Sequence, residues 1–182
     1  MQPLHIAVII GSTRQGRAGE AIGRWAAEVV GLRSDVECGV VDLADYEFPA
    51  SYPDHPTPAM RRFVDRVAWA DGFVVVTPEY NRSFPASLKQ AIDYAYDEWH
   101  AKPAAFVSYG HRSEGVYAVE HLRTVFTELH VVTMRNGVGV NLLDDEPLDS
   151  EHRHRAATTM LDQLTWWAAA LRGARHAHPY VS

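Results

Sequence analysis

Residues 11–17 read Gly-Ser-Thr-Arg-Gln-Gly-Arg, a short segment holding two hydroxyls, Ser12 and Thr13, and two guanidinium groups, Arg14 and Arg17. Such groups beside the start of a helix, whose first N–H groups lack intrahelical partners, are what a phosphate monoester requires. A nucleoside triphosphate loop is excluded. The G-x-x-x-x-G-K-[ST] spacing is missing, and Gly11, Gly16 and Gly19 do not make G-x-G-x-x-G. Residues 77–85, Thr-Pro-Glu-Tyr-Asn-Arg-Ser-Phe-Pro, form a second segment of interest. Pro78 stiffens it, Tyr80 offers a flat face, and the Asn81 amide both donates to and accepts from a heterocycle. A third, Tyr-Gly-His-Arg-Ser-Glu-Gly at residues 109–115, places Gly110 and Gly115 where backbone approaches a ring closely. Joined, the three segments describe a site long enough for a mononucleotide-like cofactor.

The flanking patterns say how these segments come together. Short apolar runs without alternation, at residues 5–10, 72–76 and 103–108, read as strands buried on both faces, with a shorter strand at residues 36–42. Apolar residues at helical spacing follow each: Ala18, Ile22, Trp25 and Val29; Met60, Phe63, Val67 and Ala70; Leu88, Ile92, Ala95 and Trp99; Val119, Leu122, Phe126 and Leu129. Thr57 is expected to cap the second helix with Pro58 at its first position, after a loop carrying Pro49, Pro53 and Pro56. A fifth strand begins near Val131, where Asn136 and Gly137 are able to bend it. A last helix runs from Glu151 through Ala157, Leu161, Leu164, Ala168 and Leu171. Five strands alternating with five helices imply a parallel sheet covered on both faces, a three-layer α/β/α single domain over residues 1–182. The strand order 2-1-3-4-5 is expected, because it sets the loops after strands one and three side by side at the switch point where ligands collect.

In this order and at these separations, Gly11-Ser-Thr-Arg, the stretch from Pro78-Glu-Tyr-Asn to Asp93 and the loop between Gly110 and Gly115 resemble the NADPH-dependent FMN reductase family of flavodoxin-like proteins. The likeness covers about residues 6–129, and the central motif is its most specific part. The resemblance implies that Ser12, Arg14 and Arg17 hold the FMN phosphate, and that Pro78, Glu79, Tyr80 and Asn81 lie against the isoalloxazine and ribityl chain. Ser108, Tyr109, Gly110 and His111 would border the pyrimidine side of the ring. It also implies NADPH or NADH as co-substrate, a small-molecule electron acceptor (flavin, quinone, azo dye or metal oxyanion) and a homodimer or homotetramer. The chain departs from the family pattern at Ala86, where glycine is usual, and at His111 and Glu114, which replace glycines of the third loop. Since the flavin does the electron chemistry, the protein positions rings and tunes charge, and no catalytic acid or base is expected.

Composition limits the other classes. A net charge of −6, with 47% apolar and 22% charged residues, fits a globular protein and argues against a nucleic-acid backbone as partner. No tract approaches the roughly 20 apolar residues of a membrane helix, so a cytoplasmic protein is expected. Cys38, the sole cysteine, closes no internal disulfide. The ten histidines include His152 and His154, and His176 and His178. A spacing of two turns their rings to different sides of a helix, so no metal site is expected. A serine hydrolase built on Ser12 lacks G-x-S-x-G. Trp166 and Trp167 are adjacent, so one of them faces away from the core, where a partner subunit would cover it. Two other readings stay open: a flavodoxin-type electron carrier without nicotinamide chemistry, and a non-catalytic flavin-binding module.

Overall fold

The computed structural model describes residues 2–181. Its sheet has the order β2-β1-β3-β4-β5, all parallel, built from β1 (Leu4–Ile10), β2 (Val36–Asp42), β3 (Gly72–Pro78), β4 (Pro103–Gly110) and β5 (Val132–Thr133). The fifth position is shared. β5 pairs with Pro103 and Ala104, while β6 (Val138–Asn141) pairs with the stretch of β4 from Val107 to Gly110. The bend expected at Asn136 and Gly137 therefore splits the strand. Gly137 passes so close to β4 that a Cβ there would sit 2.8 Å from the Phe106 carbonyl oxygen.

Helices α1 (Gly19–Gly31) and α5 (Glu151–Ala177) cover one face, and α2 (Pro58–Trp69), α3 (Ala86–Ile92) and α4 (Val116–Glu128) the other. Strand alternation divides the two cores. Ile6, Val8, Val74, Val76, Ala105, Val107 and Tyr109 join the α1/α5 side, while Ala7, Ile9, Phe73, Val75, Ala104 and Phe106 join the other. Because β1, β3 and β4 are buried on both faces, they read as unbroken apolar runs. Thr57 caps α2 as expected, its hydroxyl accepting from Met60 N at 3.3 Å.

Three ends differ from the sequence reading by two residues or more, each for a visible reason. Both β3 and β4 run two residues further, because Thr77 and Pro78 pair with Ser108 and Tyr109, and β6 then holds Tyr109 and Gly110 from the other side. The third helix stops at Ile92 instead of continuing to Trp99. Asp93 caps it, and Trp99 falls in a separate short 3-10 turn, Asp97–Trp99, whose indole N–H donates back to the Ile92 carbonyl at 3.1 Å.

Candidate functional site

The loops leaving β1, β3 and β4 meet at the carboxyl end of the sheet, where strand order reverses between β1 and β3. They enclose a cavity of about 510 Å³ lined by Arg14, Arg17, Pro78, Glu79, Tyr80, Tyr109, Gly110 and His111, together with Gln15, Gly16, Ala18, Ser113 and Leu142. Eight of the eleven site residues expected from the sequence thus share one cavity. Of the other three, Ser12 and Ser108 are buried behind its walls and Asn81 is exposed beside it.

The loop after β1 carries the groups that an anion site needs. Gly11 N donates to the Val76 carbonyl at 2.8 Å, and the Gly11 carbonyl accepts from Ser87 Oγ at 3.2 Å, so the loop starts from a fixed point between β3 and α3. From there, no backbone N–H of residues 12–18 donates to a backbone carbonyl among the described residues. Gly16 takes φ +64°, a left-handed turn that glycine adopts without steric cost. The N-cap of the helix that follows is Ala18, which offers no side-chain cap. A row of free N–H donors, an uncapped helix start and two guanidinium groups match the oxygens of a phosphate. Arg17 is nine-tenths buried and bridges the Asp42 carboxylate and the Ser12 carbonyl. Asp42 ends β2 in register with Ile10, which sets it beside this loop. Arg14 instead lies over the Tyr80 ring, 3.9 Å from its centroid.

Ser12 is fully buried, and its hydroxyl accepts from Tyr109 Oη at 3.0 Å. It supports the loop from beneath and does not line the cavity. Burial pushes the Tyr109 phenol up to about 12, so it stays a donor at any physiological pH.

The loop after β3 folds on itself. Tyr80 N and the Ser83 carbonyl bond at 2.8 Å, and Ser83 N and the Tyr80 carbonyl at 3.0 Å, with Asn81 and Arg82 between them at φ +52° and +65°. Two central residues at positive φ make a tight turn that asparagine tolerates well. Asn81 serves as a turn residue here and is exposed beside the cavity. The turn carries Arg82 onto the Tyr117 ring at 3.8 Å.

Glu79 lines the cavity, yet both its carboxylate oxygens are engaged elsewhere, accepting from Ser113 Oγ at 2.9 Å and from Tyr117 N at 3.1 Å. The N-cap of α4, Gly115 at φ +83°, has no side chain to offer, so Glu79 caps α4 from the neighbouring loop. Ser108 completes the joint by donating to the Glu114 carbonyl at 2.7 Å, where Glu114 is also left-handed at φ +51°. Its exposed edge faces a separate recess of about 290 Å³ between α4 and β6. Glu79→Ala should remove a cap worth about 1 kcal/mol and lower the melting temperature by about 2–4 °C, whereas Glu79→Gln, which keeps an acceptor for Tyr117 N, should recover most of it. Equal melting of both variants and the parent would show that the bonds contribute nothing.

Asp42, Gln15, Ser113 and Leu142 were not singled out by the sequence. Asp42 reaches the loop only through the register of β2 against β1, which neither strand shows by itself. Leu142 had none, since it follows a strand whose end the pattern leaves undefined. Among the described residues no group of three or more His, Cys, Asp or Glu side chains is placed to hold a metal ion, and no helix is long and apolar enough to cross a membrane.

Comparison with known proteins gives the same picture of fold and motif. An NAD(P)H-dependent FMN reductase of Schizosaccharomyces pombe is 39% identical over 121 residues, covering 60% of each chain, and one of Nectria sp is 35% identical over 118 residues. The matched region spans 60% and 59% of those two relatives. A 2-hydroxy-1,4-benzoquinone reductase of Burkholderia sp is 30% identical over 181 residues, covering 90% of this chain and 96% of its own. Among solved structures, the flavoenzyme NAD(P)H:(acceptor) oxidoreductase FerB of Paracoccus denitrificans shares the fold with a TM-score of 0.68 at 20% identity, over 93% of this chain and 98% of that one. The family model described as NADPH-dependent FMN reductase matches residues 4–142, which run from the first residue of β1 to the last cavity-lining residue. A pattern spanning every element that shapes the cavity leaves one assignment, and this chain belongs to the NADPH-dependent FMN reductase family.

Proposed function

We propose that this chain is a single-domain, FMN-dependent NAD(P)H oxidoreductase whose electron acceptor is a small molecule of the quinone or flavin class. The observation that carries the reading is the loop of residues 12–18, whose N–H groups have no backbone acceptors among the described residues and whose residues 14–18 line the cavity that Tyr80 also lines. FMN held in this cavity would supply the redox chemistry, two-electron transfer from reduced nicotinamide to the acceptor. The chain's own part is placement. The first loop and Arg17 fix the phosphate end, Pro78 and Tyr80 present one wall to the ring system, and Gly110 and His111 line the other side. Glu79 keeps the second and third loops in one register through α4. A quinone acceptor is supported by the quinone reductases among the relatives.

Charge favours an enzyme over an electron carrier. Flavodoxin-type carriers usually present an acidic face around the flavin. Here Arg14 and His111 line the cavity and Arg82 and Arg112 are exposed on the adjoining loops, while Asp42 is paired with Arg17 and Glu79 with Ser113 and Tyr117 N. Such basic groups suit the phosphates of a nicotinamide dinucleotide. Assembly as a homodimer or homotetramer belongs to the same proposal, supported by Trp166 on α5, which is 65% exposed and in edge contact with Trp167.

The test is oxidation of NADPH and NADH by the purified, FMN-loaded protein with benzoquinone or free FMN as acceptor, followed by nicotinamide absorbance. Sustained turnover supports an oxidoreductase. Saturable FMN binding without turnover on quinone, flavin, azo or metal-oxyanion acceptors would leave an electron carrier or a binding module in its place.

A further inference from the structure

Tyr109 belongs to the third loop in the sequence, but its hydroxyl does not. Alternation along β4 turns its side chain to the α1 side of the sheet, with Ala105 and Val107, and carries the ring beneath the first loop. There it donates to Ser12 Oγ at 3.0 Å, with both residues buried. The first residue of α1 is Gly19, and a Cβ at that position would overlap both the Tyr109 hydroxyl and the Ser12 hydroxyl. The space under the helix start is thus filled by a hydrogen-bonded pair of oxygens, and only glycine leaves room for it. Arg17 holds the Ser12 carbonyl from the other side.

We propose that Tyr109 is a positioning residue for the cofactor's phosphate, acting through Ser12 to hold the loop of residues 12–18 and the first turn of α1, and so setting the preference for FMN over unphosphorylated riboflavin. This rests on the FMN reading above. A strut under the phosphate loop affects a ligand only through its phosphate, whereas a contact at the ring edge acts on FMN and riboflavin alike. The buried phenol keeps its proton, so it serves as the donor and Ser12 as the acceptor.

Flavin-fluorescence titrations with FMN and with riboflavin, on the parent and on Tyr109→Phe, Ser12→Ala and the double variant, test this. Removing one hydrogen bond of the strut should weaken FMN about 5- to 10-fold and riboflavin less than about twofold. The double variant should match the single ones within about twofold, because each already breaks the same link. Gly19→Ala wedges the pair apart without deleting either hydroxyl, and should reproduce the FMN-selective loss even if Tyr109→Phe proves too unstable to titrate. Equal weakening of both flavins, an unchanged FMN-to-riboflavin ratio, or multiplying losses in the double variant would overturn the role of Tyr109. Failure of the parent to bind FMN saturably would instead overturn the cofactor assignment.

Discussion

Arg17→Ala is expected to weaken FMN binding by about 30- to 1000-fold while leaving riboflavin within a few-fold of the parent. The size follows from what the guanidinium does. Its side chain is 10% exposed and bridges the Asp42 carboxylate, itself 16% exposed, and the Ser12 carbonyl. Truncating one member of a buried, hydrogen-bonded charge pair costs about 2–4 kcal/mol, largely because the other charge is left without a partner. Here the abandoned charge is Asp42, beside the loop meant for a dianion, so an attraction turns into a repulsion. Arg17→Ala combined with Asp42→Asn should therefore bind FMN more tightly than Arg17→Ala alone. Arg14→Ala should do less, since Arg14 is exposed and rests on Tyr80. Titration of the four proteins at fixed ionic strength decides the matter. An Arg17→Ala affinity within threefold of the parent would remove Arg17 from the phosphate site.

How far the site was legible depended on whether its parts lie along the chain or across it. The anion loop could be read because hydroxyls, arginines and a helix start are consecutive, and the parallel sheet because β1, β3 and β4 are uninterrupted apolar runs. Asp42 could not be read as the partner of Arg17, because only the β1–β2 register brings them together. Tyr109 is the instructive case. Placed by motif, it falls at the edge of the ring. Placed by strand period, it falls on the side of Val107 and therefore under α1, and the structure follows the period. Glu79 and Asn81 differ for another reason: a motif names residues but not the tasks of their side chains, and these two are occupied by a helix cap and a turn. The split between β5 and β6 was visible only as a possible bend, since two extra residues change the pairing with β4 without altering hydrophobicity.

Trp99→Ala should destabilise the fold by about 3–5 kcal/mol and lower the melting temperature by about 10 °C or more, without weakening FMN binding at temperatures where the variant remains folded. Trp99 is fully buried, packs its ring 4.6 Å from Phe73 and 5.4 Å from Phe126, and donates to the Ile92 carbonyl that ends α3. Its removal opens a void too large for neighbouring rings to close, and leaves that carbonyl without its indole donor. Phe73 is the second residue of β3, so the void lies toward the amino end of the sheet, while the cavity lies at the carboxyl end beyond Pro78. That separation is what lets stability and binding be changed independently. If it holds, FMN at about 100 times its dissociation constant should stabilise parent and variant alike by about 2.7 kcal/mol, the mass-action value for a ligand that binds only the folded state. Thermal melts with and without FMN measure both effects at once. A variant that melts within 3 °C of the parent, or one whose FMN affinity falls more than threefold, would show that this core and the flavin site form one cooperative unit instead of two.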